Sequence, residues 1–120
     1  MQRAMVLLAG LCAAWACAGA PAPGRYRATF CVATSQAPAG CGPAELDLRS
    51  ATELQVRIAD VVYRLHLHDD LVDVLTLHGR MQIDAFSAPC QWQGETLRFV
   101  DTDKQARYEL RTGARLRPAH

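Results

Sequence analysis

The stretch Val61–Arg80, VVYRLHLHDDLVDVLTLHGR, alternates apolar and polar side chains on either side of a polar break at Asp69-Asp70. A period of two belongs to strands, whose successive side chains point to opposite faces, and not to a helix with its period of 3.6. Two such runs joined by a short polar break predict an antiparallel hairpin. With Asp69-Asp70 as a two-residue loop, His68 lies opposite Leu71, Leu67 opposite Val72, His66 opposite Asp73 and Leu65 opposite Val74. Opposed residues share a face. One face then carries Tyr63, Leu65, Leu67, Val72, Val74 and Thr76 and is the core side. The other carries Arg64, His66, His68 and Asp73 among Leu71, Leu75 and Leu77. A four-residue loop keeps this pairing, whereas a three-residue loop flips one strand.

The same alternation recurs along the chain. It appears in Tyr26, Ala28, Phe30 and Val32, in Leu46 and Leu48, and in Leu54, Val56 and Ile58. It returns in Met81, Ile83 and Ala85, in Leu97 and Phe99, and in Ala106, Tyr108 and Leu110. Ala88-Pro89 reads as a break, and His78-Gly79 and Gln93-Gly94 read as turns. Short alternating strands without a helical period predict an all-β antiparallel fold. About eight strands suit a small β-barrel, which leaves no exposed edges, with a two-sheet β-sandwich as the alternative. On this reading the β domain spans residues 25–111, and 112–120 is a disordered tail.

Residues 1–18 read as a signal peptide with a signal helix. Arg3 supplies the positive start, and Ala4–Ala16 is an apolar run of export-signal length, too short to span a bilayer. Small residues allow a cut before Cys17 or before Gly19. The run Ala14-Trp15-Ala16-Cys17 resembles a bacterial lipobox through its small residue before the cysteine. The resemblance implies lipidation of Cys17, with 19–24 as a flexible linker behind it. The expected location is therefore exported: periplasmic, membrane-anchored through a lipid, or secreted.

Charge points to no partner class. The chain carries 13 basic and 12 acidic residues, and loss of Arg3 with the signal leaves the two balanced. No basic patch argues for nucleic acid. Cysteines say more. Cys12 leaves with the signal, and Cys31, Cys41 and Cys90 remain, with Cys17 depending on processing. A Cys31–Cys41 disulfide would staple a Pro/Gly-rich loop, with Cys90 pairing Cys17 or staying free. Cys31–Cys90 is the competing connectivity. No CxxC motif supports thiol–disulfide exchange.

Catalytic motifs are absent from the sequence. Ser35, Ser50 and Ser87 lie in no G-x-S-x-G elbow, and there is no phosphate-binding loop or dinucleotide fingerprint. Asp101-x-Asp103 lacks the other ligands of a calcium loop. His66 and His68, at i and i+2, point the same way, and Asp73 lies across from His66. These three residues are the candidate ligands of a zinc or copper site, while His78 points to the other face. Trp92 is placed as a cap at a barrel end or at a ligand mouth. Phe86, in phase with Gln82 and Asp84, is placed on the exposed face as a partner contact. The architecture is similar in outline to the periplasmic lysozyme inhibitors, whose Ser-Gly-x-Arg-Tyr-like run has its nearest counterpart here in Thr112–Leu116. That match covers five residues and implies no inhibitory residue. The expected function is a non-catalytic envelope module that binds a protein or small ligand. A periplasmic metal binder is the alternative, and an enzyme ranks last.

Overall fold

The computed structural model describes Cys17 and residues 19–116. Eight antiparallel strands form a closed barrel in sequence order: β1 (Gly24–Thr34), β2 (Ala37–Leu48), β3 (Glu53–Ile58), β4 (Val61–His68), β5 (Leu71–His78), β6 (Met81–Gln93), β7 (Thr96–Asp101) and β8 (Ala106–Arg115). β8 returns to pair with β1, so closure decides for the barrel over the sandwich. Each strand is joined to the next by a tight turn. The first turn residues Ala59, Asp69, Gly79 and Gly94 all take positive φ, the conformation that brings a chain back on itself in two residues.

The β4–β5 register is the one that alternation predicts, with His68 opposite Leu71 and His66 opposite Asp73. The inward set fills the barrel. Leu46, Leu48, Val56, Leu67, Val72, Leu97, Phe99 and Leu110 are fully buried, and Phe30 and Ala88 complete the contribution from all eight strands. An eight-stranded barrel is just wide enough for side chains to close its interior, so this one is a core and not a channel.

Four expectations need correction. β6 runs unbroken through Pro89, because its ladder to β7 begins only at Cys90. The Cys90 N–H bonds to Asp70 O on the β5 side, so Pro89 lacks its N–H on the opposite, unpaired side. The Pro/Gly-rich loop expected between Cys31 and Cys41 is instead the end of β1, a short turn and the start of β2, which there pairs with β1 alone. That edge position tolerates Pro38 and Pro43.

The first part of the expected tail, from residue 112, is ordered strand. Thr112–Arg115 finishes β8 against β1, across a bulge where Gly113 lies so close that a Cβ would stand 2.9 Å from Arg27 O. Of that expected tail, residues 117–120 fall outside the described residues. The expected linker 19–24 is also fastened down. Ala20 packs on the core, the Tyr26 hydroxyl donates to Ala22 O at 2.5 Å, and the Arg115 guanidinium donates to Pro23 O at 2.7 Å. The β domain therefore starts at Gly24 and ends at Arg115.

Cys31 pairs with Cys41, its directly opposed neighbour, and Cys17 pairs with Cys90. The Cys17–Cys90 pair is the pairing expected where Cys17 carries no lipid. The signal and lipobox residues 1–16 lie outside the described residues. Two disulfides hint at an oxidising extracellular compartment.

Candidate functional site

Since the interior is filled, a site must lie on the outer wall or at an end. The wall over β3–β6 carries two parallel cross-strand rows. One runs Glu53, His66, Asp73, Ser87 and the next runs Gln55, Arg64, Leu75, Ala85. Together with Arg49 they line a groove of about 530 Å³. Its size falls in the range of ligand-binding clefts. The small Ala85 and Ser87 leave space on the β6 side that larger side chains would fill.

The polar row is internally paired. Asp73 is its centre: Oδ1 accepts from the Ser87 hydroxyl at 2.5 Å, and Oδ2 lies 3.0 Å from His68 Nε2. The Ser87 hydrogen bond, aided by His68 and His66, holds the Asp73 carboxyl below the usual carboxylate range. His66 Nδ1 stands 3.7 Å from Glu53 Oε2, and the two imidazole centroids are 5.7 Å apart. Exposed pairs of this kind are screened by solvent and add little. They explain little of the barrel's stability and are easily exchanged for contacts with a ligand.

The other row holds an uncommitted charge. Among the described residues the Arg64 guanidinium has no carboxylate within ion-pairing distance, whereas Arg49 is held by Asp47 and Gln55. Leu75 and Ala85 lie beside Arg64 as an apolar floor.

The register brings His66, His68 and Asp73 to one face as the sequence predicts, and it adds Glu53. These side chains are turned toward ion-pair and hydroxyl partners instead of a common centre. Among the described residues no three His, Cys, Asp or Glu side chains are arranged to hold a metal ion. Nor is the Ser87–Asp73–His68 array a hydrolytic triad. In a triad the histidine stands between serine and acid, whereas here the acid stands between the other two.

Phe86 is misplaced by the alternation rule. Ile83 is the extra residue of a bulge between the Thr76–Asp84 and Leu77–Gln82 pairs. It shifts the phase, leaving Phe86 turned inward against Phe99 and Tyr108, with centroids 6.3 and 5.7 Å away. Trp92 is buried, close to Gly19. Glu53, Gln55, Ala85 and Ser87 were missed as site residues. Extending the hairpin register one strand to either side finds the β3 pair at once, and finds the β6 pair once the bulge is allowed.

No family model matches the chain, and neither does any curated protein or solved structure.

Proposed function

We propose that the protein is a non-catalytic, exported envelope module that binds a partner protein through the outer groove of β3–β6. The observation that carries this reading is the Arg64 guanidinium, left without a carboxylate among the described residues beside the apolar Leu75 and Ala85 in a groove of about 530 Å³. A partner segment presenting a carboxylate next to apolar side chains would satisfy both. The filled interior argues against a small ligand held at the centre of the barrel. The export-signal pattern of residues 1–18 and the two disulfides support an envelope location, periplasmic or secreted.

The test is capture from an envelope extract by immobilised mature protein. The expected result is a specific partner, retained by wild type and by Arg111→Gln on the opposite wall, and lost with Arg64→Glu and with Ala85→Arg. Capture that survives both groove variants would remove the groove from the argument.

A second reading, a zinc or copper site, keeps one observation in its favour: Glu53, His66, Asp73 and the diagonal His68 share one face. It requires Asp73 to give up Ser87 and His68 for the ion. Micromolar zinc or copper binding that disappears in both His66→Ala and His68→Ala would establish it, and equal binding in those variants would end it.

A further inference from the structure

The Ile83 bulge does more than turn Phe86 inward. It also aims the Asp84 carboxylate into the end of the barrel where the β1–β2, β3–β4, β5–β6 and β7–β8 turns lie. There Phe30, Tyr63, Phe86, Phe99 and Tyr108 form one aromatic group. Phe99 and Tyr108 stack at 4.8 Å and 13°, and Phe30 meets Tyr63 at 5.0 Å. Across it reaches Lys104 from the β7–β8 loop. Its ammonium pairs with Asp84, lies 3.3 Å from Asp101 Oδ2 and stands 5.1 Å from the Phe86 centroid.

The parts of this arrangement have separate origins. Asp101, whose side chain is only 5 % exposed, spends Oδ1 on the backbone N–H groups of Asp103 and Lys104, which shapes the loop. That leaves Oδ2 for a cation. Asp84 likewise spends Oδ1 on the Ala85 N–H and keeps Oδ2 for Lys104. Two carboxylate oxygens and the Phe86 ring therefore converge on one ammonium, beside the other rings of the group. The mouth carries two negative charges against one positive charge, so it still favours a cation. Lys104 itself is about half exposed (49 %), tethered only by contacts that solvent weakens. Neither the Tyr63 nor the Tyr108 hydroxyl is engaged by another described residue, and both phenols are half-buried at the rim.

We propose that the Lys104 end of the barrel is a recognition site for a primary alkyl ammonium group, which the chain's own Lys104 occupies in the free protein and which a ligand enters by displacing it. The chemistry suits a primary ammonium, whose three N–H donors match the two carboxylate oxygens and a phenol, while its alkyl stem lies on the aromatic wall. A quaternary ammonium would satisfy the π faces and waste the carboxylates.

The probe is n-butylammonium, titrated into the full mature protein while the ring resonances of Tyr63 and Tyr108 are followed by NMR. The expected result is saturable shifts confined to those rings and Phe86, with an apparent Kd on the order of millimolar. Lys104→Ala should bind about tenfold more tightly, since its internal competitor is gone. Lys104→Met, which keeps the alkyl contact with Phe86 and loses only the charge, should do the same. Asp84→Asn on either background should remove the response. Two sources carry this chemistry. Preference for an acetyl-Gly-Lys-Gly amide would assign a lysine of a partner protein, and preference for 1,4-diaminobutane would assign a free polyamine. Equal shifts with n-butanol, or unchanged affinity in both Lys104 variants, would overturn the proposal.

Discussion

The two ends of the barrel are closed by different physics. At one end the segment before β1 is fastened by a covalent bond from Cys17 to Cys90, by the Cys17 N–H on Asp69 O at 2.9 Å, and by the Tyr26 and Arg115 side chains on the carbonyls of Ala22 and Pro23. Trp92 is buried beneath it, 7 % exposed. At the other end half-buried aromatics meet solvent, Met81 stands 68 % exposed at the rim, and one lysine bridges two carboxylates. Contacts at the first end are covalent or directed at backbone groups, and no ligand can replace them. At the second the charged contacts run from a half-exposed Lys104 to the buried Asp101 and the part-buried Asp84, and a ligand that brings its own ammonium can take the place of that one flexible side chain. The outer groove of β3–β6 belongs with the second kind. Binding is expected where closure is cheap, and stability where it is not.

The largest test of this contrast is to remove each disulfide. Cys17 and Cys90 are 73 residues apart, Cys31 and Cys41 only 10. By loop-closure entropy the first contributes about 4.5 kcal/mol and the second about 2.7 kcal/mol. Urea unfolding of Cys17→Ser/Cys90→Ser and of Cys31→Ser/Cys41→Ser should show the first pair losing more. Equal losses would mean that the segment before β1 adds nothing to the barrel beyond a local clip.

A smaller effect is expected at the seam where the barrel closes. Gly113 faces Arg27 O with no room for a Cβ. Gly113→Val should cost about 1–3 kcal/mol by forcing β8 away from β1. Thermal unfolding measures it, and an unchanged Tm would show that the β8 bulge can shift to make room.

Much of this architecture was legible in the sequence and some of it was not, for identifiable reasons. Where one face is buried and the other wet, alternation specifies the register, and the β4–β5 pairing follows from the residues alone. Alternation fails at a bulge. One extra residue at Ile83 reversed the expected side of Phe86 and hid the inward turn of Asp84, and no local residue type announces it. Proline misled differently. Pro38 reads as part of a loop and Pro89 as a break, yet each occupies a strand position at an edge or with no partner on its N side. The polar row over β3–β6 was half visible. His66, His68 and Asp73 share a hairpin, whereas Glu53 and Ser87 reach the row from neighbouring strands at distances in sequence that composition cannot connect. The Lys104 bridge was invisible, because 20 residues separate it from Asp84 and only closure of the barrel brings them together.

The subtlest prediction concerns the phenols at the Lys104 end. Burial, reinforced for Tyr63 by the Asp84 carboxylate, raises the pKa of both Tyr63 and Tyr108 above the ordinary tyrosine value, while the Lys104 charge pulls each down. A raised value in the folded chain means that the fold prefers the neutral phenol. That preference stabilises the barrel fully below the unfolded tyrosine pKa of about 10 and is lost as pH rises through the higher folded values. Absorbance titration at 295 nm, with Tyr63→Phe and Tyr108→Phe to assign the signals, should show both phenols ionising at higher pH than in the urea-unfolded chain. Lys104→Met should push them higher still, because it removes the one charge that favours the phenolate, and Asp84→Asn should bring Tyr63 back down. Midpoints that coincide in folded and unfolded chains would show that water reaches this end as freely as it reaches the outer wall. Midpoints that move in opposite directions with the two substitutions would confirm that one ammonium and one carboxylate share the mouth with these rings.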